Sequence, residues 1–205
     1  MKKALTVLLT ALMLLGMLVT AFAYDEEITF QGIPWGSSFD AVIEKLYESG
    51  LVDSSVQLIP KKALGLETTM AEDGTLTQHY LDNHADEALY SIYISNPQIS
   101  IAGYPISEMA FQFAANEEQS ELICVTLKTE EQRDKAVYDT VTAELSSVYG
   151  KGTEKQSFGQ WGDPCTVYEG AEKTAVTFHK NGMAYYNILQ FGKLDSLEIL
   201  LGYLK

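Results

Sequence analysis

The chain is 205 residues long and carries 28 acidic against 14 basic side chains, a formal net charge of −14. Such a field repels phosphate backbones, and Arg133 is the sole arginine that could pair with one, which argues against nucleic-acid binding and leaves basic proteins, polyamines or divalent cations compatible. Apolar residues make up 46% of the chain, enough to bury a sizeable core, and no Pro-, Gly- or Ser-rich tract divides it into separate regimes.

Lys2 and Lys3 precede an uncharged apolar run from Ala4 to Thr20, followed by the small-x-small triplet Ala21-Phe22-Ala23. A basic start, an apolar stretch and a small-residue cleavage site predict a signal peptide over residues 1–23. Residues 24–205 are then expected to form a single globular domain, exported to the cell envelope or beyond. The leader has no cysteine to carry acyl chains, so no stable membrane anchor is expected after cleavage.

Residues 28–33 read as a short strand stopped by Pro34. Ser37 with Asp40 three residues on resembles a capping box, and Phe39, Val42, Ile43, Leu46 and Tyr47 recur at helical spacing until Gly50. Residues 66–70 and 75–81 flank Asp73-Gly74 and predict a hairpin, with further strands over 89–94, 99–104, 109–113 and 122–127. A second helix is announced by Thr129-Glu130-Glu131-Gln132, lined by Val137, Tyr138, Val141, Leu145, Val148 and Tyr149, and ended by Gly150. Strands follow over 165–168, 175–179 and 184–191, while 194–204 fits either helix or strand.

Runs of strands with single helices interposed predict an α+β fold: an antiparallel sheet packed by two main amphipathic helices. Each half reads as a helix followed by strands, and Trp35-Gly36 recurs as Trp161-Gly162. Subrepeats over 28–128 and 129–205 are the corresponding expectation.

The chemistry-bearing residues are few. Cys124 and Cys165 are the only cysteines, and export makes a disulfide between them chemically permissible. Two separate buried thiols, or a nucleophilic cysteine beside a histidine such as His179, are the alternatives, because spacing does not tell whether two Cα atoms lie within about 7 Å. His79 and His84 share a polar stretch with Asp82, Asp86 and Glu87 and are the metal candidates. Their spacing fits no zinc or calcium pattern, so a solvated turn is expected, with no metal and no cofactor. No Gly-x-Ser-x-Gly or Ser-x-x-Lys nucleophile motif occurs, and the adjacent carboxylates of the chain cannot face one another across a sugar. Trp35 and Trp161 are the candidate binding residues, as an aromatic platform for a glycan or peptide, with a core role as the competing assignment.

Gly32 to Ser37, Gly103-Tyr104 ahead of Phe111 and Phe113, and Tyr149-Gly150 together resemble a class of small exported bacterial domains of unassigned role. The order of helix and strands is also similar to the β-lactamase-inhibitor-protein-like fold. That resemblance implies a binding role and carries over no catalytic residue; the absent lipobox cysteine departs from the lipoproteins of that fold. The expected function is therefore a non-enzymatic binding module outside the cytoplasm, with a protein, peptide or glycan partner. The competing expectation is a small secreted hydrolase whose site is assembled from distant residues, with Cys165 and His179, or His79 and His84, as its sources.

Overall fold

The computed structural model describes residues 24–65, 88–116, 118–130, 134–158, 163–181 and 185–197. The helices are α1, Phe39–Glu48, and α2, Lys135–Tyr149. The strands are β1 Lys61–Gly65, β2 Ala88–Ser95, β3 Ser100–Ile101, β4 Tyr104–Ala115, β5 Ser120–Thr129, β6 Thr153–Phe158, β7 Asp163–Glu169, β8 Thr174–Asn181 and β9 Tyr185–Lys193. They form one sheet in the order β1-β2-β4-β5-β9-β8-β7-β6, with β3 folded onto β4. Every pairing between named strands is antiparallel. Among the described residues no helix is long and apolar enough to cross a membrane.

This corrects the α+β expectation. The protein is predominantly antiparallel β, nine strands with short helices among the described residues, and two main helices do not define its architecture. Val42 and Leu46 of α1 and Val137, Val141 and Leu145 of α2 are buried as the pattern predicts, whereas Val148, expected on the same stripe, is 54% exposed; β4 runs well beyond the expected 109–113. Most of the added length is Tyr104 to Glu108, where Pro105 interrupts the strand signal.

The pleat sorts residues by face, because residues opposite one another in register point the same way. Ile92, Phe111, Val125, Phe191, Val176 and Tyr168 form one such row across six strands, and all are buried. Val42 and Leu46 of α1 and Val137, Val141 and Leu145 of α2 pack into the same cluster, so both helices lie on this face. Phe30 adds edge-on contacts to Phe111 and Phe191 at ring separations of 5.8 and 5.5 Å.

The helix termini differ in detail from the sequence expectation. Ser38, not Ser37, caps α1, its hydroxyl accepting from Ala41 N–H. Asp134, not Thr129, caps α2, its carboxylate accepting from Ala136 N–H at 2.8 Å. Thr129 is the last residue of β5 and donates its hydroxyl to Glu130 O instead. Gly50 and Gly150 follow the two helices at φ 70° and 80°, the left-handed region that glycine enters at little cost.

Residues 28–33 form isolated bridges rather than a strand, Glu27 with Ala171 and Phe30 with Ile33. They are nonetheless tied down. Ile28 N–H donates to Thr174 Oγ1 at 2.8 Å, and Trp35 Nε1–H donates to Ile28 O at 2.8 Å. Ile28 and Ile33 are 1% and 2% exposed, so this segment is part of the core. The expected hairpin over 66–81 lies outside the described residues.

The turn joining β7 to β8 places Glu172 and Lys173 at φ 54° and 56°, with Thr174 N–H donating to Ala171 O at 3.0 Å. Two successive left-handed residues match the tight hairpin turn that favours Asn-Gly. Holding an L-residue there costs about 1 kcal/mol. Lys173→Gly is therefore expected to stabilise the protein by about 0.5–1 kcal/mol, read as a higher urea midpoint with unchanged slope. A lower midpoint would contradict the turn geometry.

Candidate functional site

Among the described residues, the second face of the sheet carries neither α1 nor α2, the helical residues Leu194 to Leu197 cover part of it, and its rows mix polar with apolar residues. One row runs Ser91, Gln112, Cys124, Gly192 and Ala175; the next runs Tyr93, Ala110, Thr126, Gln190, Thr177 and Val167. A third runs Ser95, Glu108, Lys128, Ile188, His179, Cys165 and Lys155. Three central strands supply a polar residue between two apolar neighbours that face the helices: Phe111-Gln112-Phe113, Val125-Thr126-Leu127 and Leu189-Gln190-Phe191.

Thr126 is the hub of this face. Its hydroxyl donates to Gln112 Oε1 at 3.1 Å and accepts from Gln190 Nε2 at 3.2 Å, and Cys124 Sγ lies 3.8 Å away. Ser91 Oγ and Gln190 Oε1 are buried without a hydrogen-bond partner among the described residues, as are Thr142 Oγ1 and both ends of the Asn187 amide elsewhere. Leaving such an atom unsatisfied costs about 1–3 kcal/mol.

One end of the face is open. Tyr93 is 59% exposed, and Ile59, two residues before β1, is 54% exposed. Glu108 and Lys128 stand opposite each other in the row next to Tyr93, 3.7 Å apart, with side chains 62% and 34% exposed. That separation is an ion pair without a tight hydrogen bond, so both heads keep bonding capacity for another molecule. At the other end Leu194 and Leu197 cover part of the face, and Leu197 approaches so closely that a Cβ on Gly192 would lie 3.2 Å from it and 2.8 Å from Ile123 O.

No family model, curated protein or solved structure matches the chain, so its own residues carry the functional reading.

The sequence-predicted site residues fare differently. Trp35 is half-buried, packs against the main core and spends its N–H on Ile28 O, away from the polar face. Trp161, His79 and His84 lie outside the described residues, and among the described residues no cluster of three or more His, Cys, Asp or Glu is placed to hold a metal. Cys124 and Cys165 are both buried and no disulfide joins them, which rules out the first of the three alternatives for this pair. They share a face but sit on β5 and β7, separated in the sheet by β9 and β8. Three strand spacings put them about 14 Å apart, twice what a disulfide spans. Of the alternatives, the structure has two separate buried thiols, and Cys165 lies directly opposite His179 in the register of β7 and β8. Sequence reasoning missed the Tyr93 patch, although Leu89, Ser91 and Tyr93 alternate with Tyr90, Ile92 and Ile94 and so mark a face with a polar centre.

Burial pushes the Cys124 thiol up to about 12, only partly offset by the Thr126 hydroxyl. In the unfolded chain the thiol ionises near its ordinary value of 9.0, whereas in the folded chain it keeps its proton. The unfolded state thus gains stability between those two values, and folding stability falls as pH rises through that window by about 1.4 kcal/mol per unit from this group. Cys124→Ala is expected to lose less stability than the parent between pH 9 and pH 11 in urea titrations. Parallel losses in the two proteins would contradict the burial of that thiol.

Proposed function

We propose that this chain is an exported, non-enzymatic binding module and that it engages its partner through the open end of the sheet face opposite α1 and α2. The observation that carries the reading is Tyr93, a large aromatic left 59% exposed on a sheet face that folding alone would have covered or made uniformly polar. Tyrosine combines apolar area with few rotatable bonds, so ordering it on binding costs little, and exposed aromatics of this kind anchor many interfaces. Ile59 supplies a second apolar contact, while Glu108 and Lys128 supply polar contacts of both signs at the rim. Interfaces are commonly built in this way, with an apolar centre and a charged border.

The leader over residues 1–23 supports export, because a basic start, an apolar run and Ala21-Phe22-Ala23 are what signal peptidase reads. The acidic balance of the chain, 28 against 14, supports a protein, peptide or glycan partner over a nucleic acid.

Tyr93→Ala is the direct test. It is expected to change stability by less than about 0.5 kcal/mol, being an exposed strand position, and to weaken partner capture from the exported fraction at least about tenfold. Val148→Ala, which alters an equally exposed residue on α2, should leave capture unchanged. Equal capture by all three proteins would remove Tyr93 from the interface and this reading with it.

A further inference from the structure

We propose that Cys165, with His179 and Lys155, forms a reactive thiol site that exchanges with disulfides. The register places Cys165 between two nitrogen-bearing neighbours on the same face: Lys155 opposite it on β6 and His179 opposite it on β8. Directly opposed residues of an antiparallel pair stand with Cβ atoms about 4.5–5.5 Å apart, within reach of each other's functional groups. Thr177 Oγ1 lies 2.6 Å from His179 Nε2, which fixes the orientation of the imidazole beside the thiol. Among the described side chains, Lys155 and His179 are the titratable groups that the neighbouring strands set opposite Cys165.

This arrangement favours the thiolate. A lysine ammonium lowers the energy of the anion, and an oriented imidazole accepts the proton that the thiol must lose. Cys124, the other thiol of the same face, has neither neighbour; its opposing residues are Gln112 and Gly192, and burial keeps it protonated. The chain therefore holds one primed and one inert cysteine, a distinction their burial at 3% and 0% exposure does not suggest.

The exchange balances without any further reagent. The Cys165 proton passes to the imidazole, the thiolate attacks one sulfur of the incoming disulfide, and a new Sγ–S bond forms as the old S–S bond breaks. The departing sulfur leaves with the bonding electron pair and takes the proton back from the imidazolium. The substrate class is a slender disulfide, small enough to reach a thiol that is nearly covered. This chemistry is separate from partner binding at Tyr93, which belongs to the other end of the face.

The test is labelling of the native full chain with a chromogenic aromatic disulfide over a range of pH. The parent and Cys124→Ser should each release coloured thiolate at the same rate, with modification mapped to Cys165, and Cys165→Ser should react at least about tenfold more slowly. The pH midpoint of the rate in Cys124→Ser should lie below about 8.5, the ordinary value for a free cysteine. Lys155→Gln, at an exposed position that the fold does not depend on, should raise that midpoint, and His179→Gln should raise it further. Faster labelling of Cys124, labelling of both thiols only at the rate of global unfolding, or a midpoint that Lys155→Gln leaves unmoved would each overturn the proposal.

Discussion

The pairing of β5 with β9 is the contact on which the rest of the structure depends. Cys124 to Lys128 lie in unbroken register with Gly192 to Ile188, and among the described residues this seam is the only strand pairing between the part of the sheet that follows α1 and the part that follows α2. Because the side-chain period is two, a slip of one residue here would turn Val125, Leu127, Leu189 and Phe191 away from the helices and bring Thr126 and Gln190 into the core. The hydrophobic cost of such a slip holds the register. Gly192 permits it, since a side chain there would strike the Ile123 carbonyl and Leu197.

With that register fixed, the two faces of the sheet acquire different tasks. The helix-covered face gathers the aromatic and branched residues and supplies most of the burial. The opposite face collects Gln112, Thr126, Gln190, Thr177 and His179, tied partly to one another, with Ser91 Oγ and Gln190 Oε1 left without partners among the described residues. Hydrogen bonds among these residues fix the relative positions of β4, β5 and β9 on this face. The open Tyr93 end and the Cys165 end are two regions of the same polar surface, one suited to contact and the other to thiol chemistry.

Much of this architecture is legible in the sequence, and what is not has identifiable causes. The apolar stripes of both helices are readable because Val42 and Leu46, and Val137, Val141 and Leu145, recur at helical spacing and the terminating glycines are explicit. The expected caps lie one and five residues from the observed ones, since Ser37 and Ser38 are equivalent as residue types and Thr129 with Gln132 makes a capping-box pattern that Asp134, followed by Val137, does not. The full length of β4 is hidden at its start, where Pro105 interrupts the strand signal. The cysteine pairing fails for a different reason: it depends on the order of strands in the sheet, which no local pattern encodes. That same order is what places His179 and Lys155 beside Cys165.

Amide hydrogen exchange resolved by residue tests the central role of the seam most directly. If β5–β9 pairing organises both faces, the amides of β5 and β9 should be the last to exchange and should do so only through global unfolding, while the outer strands β1 and β6 open earlier. Faster exchange in β5 and β9 than in the strands outside them would mean that the two parts of the sheet hold themselves together independently, and would contradict the organising role of the seam.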